Sequence, residues 1–276
     1  MRSLIHAVGI PMQQYLDAAL DAAAAVAAVI QDGYAGNFRV RTKADASPVT
    51  EVDEAAERAI KAHLSARFPD HGFYGEEYGL DRADADYVWL IDPIDGTKAF
   101  VRGYPMFSAQ IALMHKGRLV VGVSCAPCFG NGQLFYAAEG MGAWAVDGVD
   151  ARRAPARRLR VGRAESFADT ALSMGNIATL AQQPRFARFA ASVIPRLQRI
   201  RGYGDFLHYH LLADAKIDAV VESDINILDV AALAVIVREA GGVFTDLDGA
   251  ELTLDTRGVL AAATPELYRA LTKALR

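Results

Sequence analysis

Cysteine is nearly absent: only Cys125 and Cys128 occur in 276 residues, so no disulfide framework organises the chain and a reducing compartment is expected. Long apolar runs are missing too. The longest candidate, Ala22 to Ile30, is far too short for a membrane span, and Asp17 and Asp21 just before it do not suit a secretory signal. There is no cationic excess, since 29 Lys and Arg stand against 33 Asp and Glu for a net charge of −4. That balance gives no footprint for nucleic acid or for a membrane surface. Disorder is excluded by 52% hydrophobic residues. These absences leave a cytoplasmic protein with enough apolar material for one large α/β domain or two closely packed lobes.

Periodicity places a helix over Pro11–Ile30, a strand over Asn37–Thr42 and a polar loop over Lys43–Pro48. Thr50 opens a second helix, with Asp53 three residues on in the place of a capping-box acid, and Phe68-Pro69 ends it. Pro69–Asp86 reads as an acidic loop. Val88–Asp92 reads as a short strand stopping at Pro93, and Thr97–Val101 as a helical turn. Phe107–Met114 and Leu119–Cys125 form a hairpin about His115-Lys116-Gly117-Arg118, and two further strands follow at Leu134–Ala138 and Ala143–Val146. The Arg-rich stretch Asp147–Arg163 marks a lobe boundary. The expected division is an N-terminal α+β lobe, residues 1–150, and a C-terminal α/β lobe, residues 151–276, in one compact unit. The second lobe alternates strands (Thr170–Met174, Ala219–Glu222, Val243–Thr245, Val259–Ala262) with helices (Pro184–Leu197, Asp205–Ala213, Asp229–Ala240 and a last one capped by Thr264-Pro265).

The most informative segment is Trp89-Leu90-Ile91-Asp92-Pro93-Ile94-Asp95-Gly96-Thr97. It puts two carboxylates at the end of an apolar strand. Gly96 permits a sharp turn, and Thr97 starts a helical turn whose amides suit an anion. Acids beside an anion site are reconciled by a cation that bridges protein to phosphate. Glu76 and Glu77, Asp53 and Asp229 add acids with no evident core role. If they converge, each ionised pair at about 4 Å costs about 4 kcal/mol at an effective dielectric of about 20. Divalent cations relieve that cost, and an all-oxygen donor set favours Mg²⁺ over Zn²⁺.

In order along the chain, Asp53, Glu76-Glu77, Asp92-Pro93-Ile94-Asp95-Gly96-Thr97, and Asp229 followed after eleven residues by Gly241-Gly242 resemble the pattern of the inositol monophosphatase superfamily of metal-dependent, lithium-sensitive phosphatases. One position departs: Leu228 stands where that family usually has Trp, which alters the packing beside Asp229. The resemblance implies a layered α-β-α-β-α fold, a homodimer, and two or three Mg²⁺ per site. It implies Glu76, Asp92 and the Ile94 carbonyl at one metal, Asp92, Asp95 and Asp229 at a second, and Glu76 with Asp53 through water at a third. Thr97 and Asp53 would orient and deprotonate the attacking water, Glu76 would assist, and Asp95 with the Gly96 and Thr97 amides would hold the phosphate. The implied chemistry is in-line displacement by metal-activated water, without a phosphoenzyme.

Members of that superfamily cleave inositol phosphates, sugar bisphosphates, nucleotide 3′-phosphates and histidinol phosphate. Gly96-Thr97-Lys98-Ala99-Phe100, Gly204-Asp205-Phe206 and Asp229-Val230-Ala231-Ala232-Leu233 resemble its histidinol-phosphatase branch, of histidine biosynthesis. Glu222 lies where the family contacts the alcohol, and Asp205 lies in a second loop nearby. Two acids facing a leaving group suit a cationic amine. Histidinol phosphate is therefore placed first and inositol 1-phosphate second, ahead of 3′-phosphoadenosine 5′-phosphate, fructose 1,6-bisphosphate, or a catalytically silent regulatory relative.

Competing readings are weaker. The Asp-x-Asp nucleophile pattern of haloacid-dehalogenase phosphatases fails, because Ile94 stands two after Asp92 and Thr97 two after Asp95. Cys125-Ala126-Pro127-Cys128 has redox spacing but does not open a helix, so it reads as two reduced thiols. His208 and His210 diverge on a helix and read as surface or pocket-lining groups. The arginines from Arg152 to Arg163 read as a solvated linker.

Overall fold

A computed structural model describes residues 11–36, 38–42 and 48–276. The chain begins with helix α1 (Met12–Ala35), a short hairpin of β1 (Val40–Thr42) and β2 (Pro48–Thr50), and helix α2 (Glu51–Arg67). The Thr50 hydroxyl accepts from the Val52 and Asp53 amides while the Asp53 carboxylate accepts from the Thr50 amide, completing the capping box expected from the sequence. Most of the expected loop Lys43–Pro48 lies outside the described residues, and Pro48 itself belongs to β2.

An eight-stranded sheet follows. Its strands are β3 (Gly72–Gly75), β4 (Gly79–Asp81), β5 (Tyr87–Asp95), β6 (Ser108–His115), β7 (Arg118–Ala126), β8 (Gln133–Ala138), β9 (Gly142–Asp147) and β10 (Arg157–Arg158), with helix α3 (Thr97–Val101) after β5. The order is β10-β9-β8-β7-β6-β5-β3-β4, antiparallel except where β3 runs parallel to β5. Residues 69–86 are therefore not a plain loop: Gly72-Phe73-Tyr74-Gly75 is a strand whose partner lies beyond the next turn.

A five-stranded sheet in the order β12-β11-β13-β15-β14 uses β11 (Ala171–Gly175), β12 (Arg199–Arg201), β13 (Ala219–Ser223), β14 (Val243–Asp246) and β15 (Gly258–Ala262). Its helices are α4 (Ile177–Ala181), α5 (Pro184–Ser192), α6 (Asp205–Ala213), α7 (Ile227–Glu239) and α8 (Pro265–Leu275). The expected helix Pro184–Leu197 is α5 plus a 3₁₀ turn at Ile194–Arg196. Short α4 and β12 had no counterpart in the sequence reading.

Three apolar clusters define the layers. The first packs α1 and α2 on one face of the large sheet through residues such as Ile30, Ile60, Trp89 and Ile111. The second lies between the two sheets, with Phe206, Tyr209, Leu233 and Ile236 of α6 and α7 packed against Leu90 and Ala112 on one side and Val220 and Ala261 on the other. The third sets α5 and α8 on the outer face of the small sheet through Phe189, Val221, Leu260 and Leu271. The result is the expected α-β-α-β-α stack. Helix α7 is buried almost all round, as a helix between two sheets must be. It reaches the large sheet because Gly122 has no side chain: a Cβ there would lie 2.3 Å from the Ala232 carbonyl oxygen. Leu228 is buried in this central layer.

Candidate active site

Strand β5 does not stop at Pro93 but runs on to Asp95. Its pairing with β6 is regular as far as Asp92 opposite Gln110, then resumes at Asp95 opposite Ser108. Three steps on one strand against two on the other make a bulge, where Pro93 has no amide to offer the ladder. Residues three apart on a flat strand face opposite sides. The extra residue instead turns Ile94 into the α1–α2 layer beside Trp89 and Ile91, and leaves both Asp92 and Asp95 on the α6–α7 face. The chain then reverses at Gly96, with φ of +95°. A Cβ at that position would lie 2.5 Å from the Met106 carbonyl oxygen, so glycine is required twice over.

Asp229 reaches the same point from the other side. It sits at the third position of α7, in a capping box with Asn226, and Oδ2 accepts from the Asn226 amide at 2.7 Å. Asn226, not Asp229, is the cap that opens this helix. One oxygen from each of Asp92, Asp95 and Asp229 lies within 4.8 Å of the others. Asp92 Oδ1 accepts from the Ile94 amide at 3.0 Å, whereas Asp95 Oδ2 is buried with no hydrogen-bond partner. Burial, with Glu76, Asp95 and Asp229 nearby, pushes Asp92 well above the usual carboxylate range. Asp95 is pushed well up by burial and then by Asp205, Asp229, Glu222 and Glu76. Asp229 is pushed up to about 7, chiefly by burial, against the hydrogen bond from Asn226. An orphaned acceptor inside three crowded carboxylates fits a hard divalent cation with oxygen ligands.

Glu76 follows β3 in an exposed loop whose amide donates to the Ile91 carbonyl at 3.2 Å. The loop is held from beneath by Glu57, a buried acid that the sequence reading passed over. Glu57 Oε2 accepts from the Glu77 amide at 2.7 Å and Oε1 from the Tyr78 amide at 3.3 Å. Burial raises the Glu57 carboxyl while those two amides lower it. Gly75 makes room, since a Cβ there would fall 1.7 Å from Glu57 Oε1. The available signal was spacing: Glu57 lies one turn after Asp53, on the buried face of α2. Asp53 Oδ1 lies 3.2 Å from the Thr97 hydroxyl, which is also 3.0 Å from the Ile94 carbonyl oxygen.

These groups open into a cleft of about 470 Å³ lined by Glu76, Asp92, Ile94, Asp95, Gly96, Thr97 and Asp229. Its outer walls carry Lys98, Arg102 and Tyr104 from the α3 side, and Asn176, Asp205 and Asp224 from the small-sheet side. Of these, only Asp205 had been singled out from the sequence. Its carboxyl is pushed up to about 6, first by withdrawal from water and then by Glu222. Glu222 itself does not line the cleft. It is 5% exposed, and its Oε2 accepts from the Tyr209 hydroxyl at 2.6 Å and pairs with His208 Nε2 at 3.1 Å.

The histidines also differ from expectation. His208 and His210 are buried, not on the surface, because α6 is sandwiched between the sheets. His210 stacks on Phe135 with ring centroids 3.8 Å apart, its Nε2 lies 2.9 Å from Ser124 Oγ, and burial pushes its pKa down to about 3. Cys125 is buried and Cys128 half-buried, both as free thiols. In the arginine run, Arg157 pairs with Asp214, Arg152 with Asp21, and Arg153 with Asp150. Among the described residues no helix is long and apolar enough to cross a membrane.

Comparison with known proteins agrees with this geometry. A histidinol-phosphatase of Mycobacterium tuberculosis is 39% identical over 77% of this chain and 79% of its own length. A histidinol-phosphatase of Streptomyces coelicolor is 37% identical over 86% and 90%. An inositol-1-monophosphatase of Mesorhizobium japonicum is 32% identical over 88% of each. Among solved structures, the extragenic suppressor protein suhB of Bartonella henselae superposes with a TM-score of 0.81 at 28% identity, covering 95% of this chain and 98% of that one. The family model for the inositol monophosphatase family matches residues 11–276. The chain belongs to the inositol monophosphatase family and is a phosphatase, a phosphoric monoester hydrolase of small phosphorylated substrates.

Proposed function

We propose that this chain is a Mg²⁺-dependent histidinol-phosphate phosphatase. The observation that carries the choice of ester is the small-sheet wall of the cleft, where Asp205 and Asp224 face the space beyond the three aspartates and the buried Glu222 side chain lies behind them. A leaving group carrying an amine is drawn to that wall; a neutral polyol gains only hydrogen bonds. The relatives named histidinol-phosphatase support the same choice. The inositol-1-monophosphatase relative favours inositol 1-phosphate as the second reading, in which the same acids accept hydroxyl hydrogen bonds.

Asp92, Asp95, Asp229, Glu76 and the Ile94 carbonyl would hold two Mg²⁺, with a third at Glu76 assisted by Asp53. Bound Mg²⁺ neutralises charge on the phosphoryl oxygens and acidifies water. The chain supplies the rest. The amides of Gly96 and Thr97 orient the phosphate. The Thr97 hydroxyl accepts a proton from the attacking water as it passes its own to Asp53 Oδ1, a carboxylate whose proton affinity burial has raised. Thr50 fixes Asp53 through Oδ2 and leaves Oδ1 for Thr97. The protein is read as a cytoplasmic homodimer.

The experiment is phosphate release with Mg²⁺, comparing kcat/KM for L-histidinol phosphate, inositol 1-phosphate, fructose 1,6-bisphosphate and 3′-phosphoadenosine 5′-phosphate. Histidinol phosphate is expected to lead. A lead for inositol 1-phosphate overturns the substrate assignment, and no release from any of the four overturns it in favour of a further small phosphate ester.

A further inference from the structure

A buried chain of hydrogen bonds stands behind the small-sheet wall and has no role in the phosphoryl chemistry. It starts at the Tyr203 amide, which donates to Ser173 Oγ at 3.1 Å. The Ser173 hydroxyl in turn lies 3.3 Å from His208 Nδ1. On the far side of the ring, His208 Nε2 donates to Glu222 Oε2 at 3.1 Å, a carboxylate oxygen that can only accept. Tyr209, the next residue on α6, donates to the same oxygen at 2.6 Å.

Two donors on Oε2 fix the carboxylate, and β11 provides its seat. Gly175 stands opposite Glu222 in the parallel pairing of β11 with β13, and a Cβ at Gly175 would lie 1.8 Å from Glu222 Oε1. Ser173, one pleat back on the same face, holds the histidine. His208 is 0% exposed, so bulk water does not compete for its contact with Glu222. Asp205 faces this carboxylate from the start of α6, Asp95 and Asp229 from the metal side, and Lys98 acts on Asp205 from across the cleft.

We propose that His208, set by Ser173, is a positioning residue that holds the Glu222 carboxylate in place behind Asp205, so that the leaving-group end of the cleft prefers a cationic alcohol. This rests on the substrate reading above. His208 touches neither substrate nor metal; it acts through Glu222. With the ring removed, Glu222 keeps Tyr209 as its one donor, so the carboxylate is no longer held in one orientation behind Asp205 and the cation preference is lost.

The test is the His208→Leu enzyme with Mg²⁺, on L-histidinol phosphate and on inositol 1-phosphate, beside His208→Gln, whose amide can donate to Glu222. In His208→Leu, KM for histidinol phosphate should rise about tenfold with kcat little changed, while KM for inositol 1-phosphate stays within twofold, and His208→Gln should restore most of the loss. Equal losses on both esters would make His208 merely structural, and no change on either would remove it from substrate selection; each overturns the proposal. Isotope-edited infrared spectra of Glu222 decide the positioning step without any substrate. The Glu222 carboxyl bands should shift and broaden in His208→Leu and return towards wild type in His208→Gln, and identical bands in wild type and His208→Leu overturn the proposal. If the wild-type enzyme shows no preference for the cationic ester while the infrared result holds, the substrate reading has failed and the positioning of Glu222 has not.

Discussion

Replacing Asp95 by Asn should destroy the enzyme and stabilise the protein. The oxygens of Asp92, Asp95 and Asp229 lie within 4.8 Å of one another. At that distance and an effective dielectric of about 20, each ionised pair repels by about 3.5 kcal/mol. Asn at position 95 removes two of the three pairs. Proton uptake already relieves part of the strain at neutral pH, since Asp229 is pushed up to about 7. A net gain of about 2 kcal/mol in the metal-free protein is the reasonable remainder, or about 3–4 °C in Tm for a chain of this size. The new amide also gives the orphaned Oδ2 position a donor that faces carboxylates. Scanning calorimetry after chelation, then with added Mg²⁺, reads both halves of the claim. Wild type should gain several degrees with Mg²⁺ and Asp95→Asn almost none. A metal-free Asp95→Asn protein that melts below wild type, or one that Mg²⁺ stabilises as fully as wild type, would refute the crowded-carboxylate account.

Three further outcomes follow from the same geometry. Glu57→Ala leaves the Glu77 and Tyr78 amides without their carboxylate, so it should cost about 2–4 kcal/mol in urea unfolding and raise the Mg²⁺ needed for half-maximal activity about tenfold. Gly96→Ala meets both the Met106 carbonyl and a φ of +95°, and should lower kcat at least a hundredfold while the far-ultraviolet dichroism is retained. The Mg²⁺-induced rise in Tm should grow from about pH 5 to about pH 8. The folded carboxyls of Asp92, Asp95 and Asp229 are raised above their unfolded values. Their contribution in the metal-free protein is thus complete below about pH 4 and is lost as the pH rises through about 7, which is the loss Mg²⁺ repairs. Buried His71 and His210, pushed down to about 4 and about 3, weaken the fold as pH falls, but equally with and without metal. A Mg²⁺ effect that shrinks toward pH 8 would contradict the assignment.

What could be read in the sequence was what local chemistry determines. Thr50 and Asp53 form a capping box three residues apart, and α3, α6 and the β6–β7 hairpin stand where turn residues and periodicity put them. The acids of the candidate metal cluster are readable as an ordered motif. The bulge that turns Asp92 and Asp95 to one face was not, because it is defined by the pairing of β5 with a strand further along the chain. For the same reason β3 lies in a stretch that reads as loop: its four residues gain strand character from β5, not from their own composition. His208 and His210 were misplaced because a helix read alone shows only that the two rings diverge. Here both directions point into protein, toward Glu222 and Ser173 on one side and Ser124 and Phe135 on the other. Glu222 is expected near the alcohol from the family resemblance; in the structure its carboxylate is buried beside the cleft, held by Tyr209 and His208, because α6 packs over it.

The central claim is that the aspartates on β5 and α7 catalyse phosphate release by holding divalent metal. The most direct measurement is the initial rate of phosphate release from L-histidinol phosphate by chelated wild-type enzyme as Mg²⁺ is added back, with Asp95→Asn measured in parallel. The account predicts no release without metal, saturable recovery with Mg²⁺, and none from Asp95→Asn at any Mg²⁺ concentration. Turnover that survives chelation, or that persists in Asp95→Asn, would contradict it.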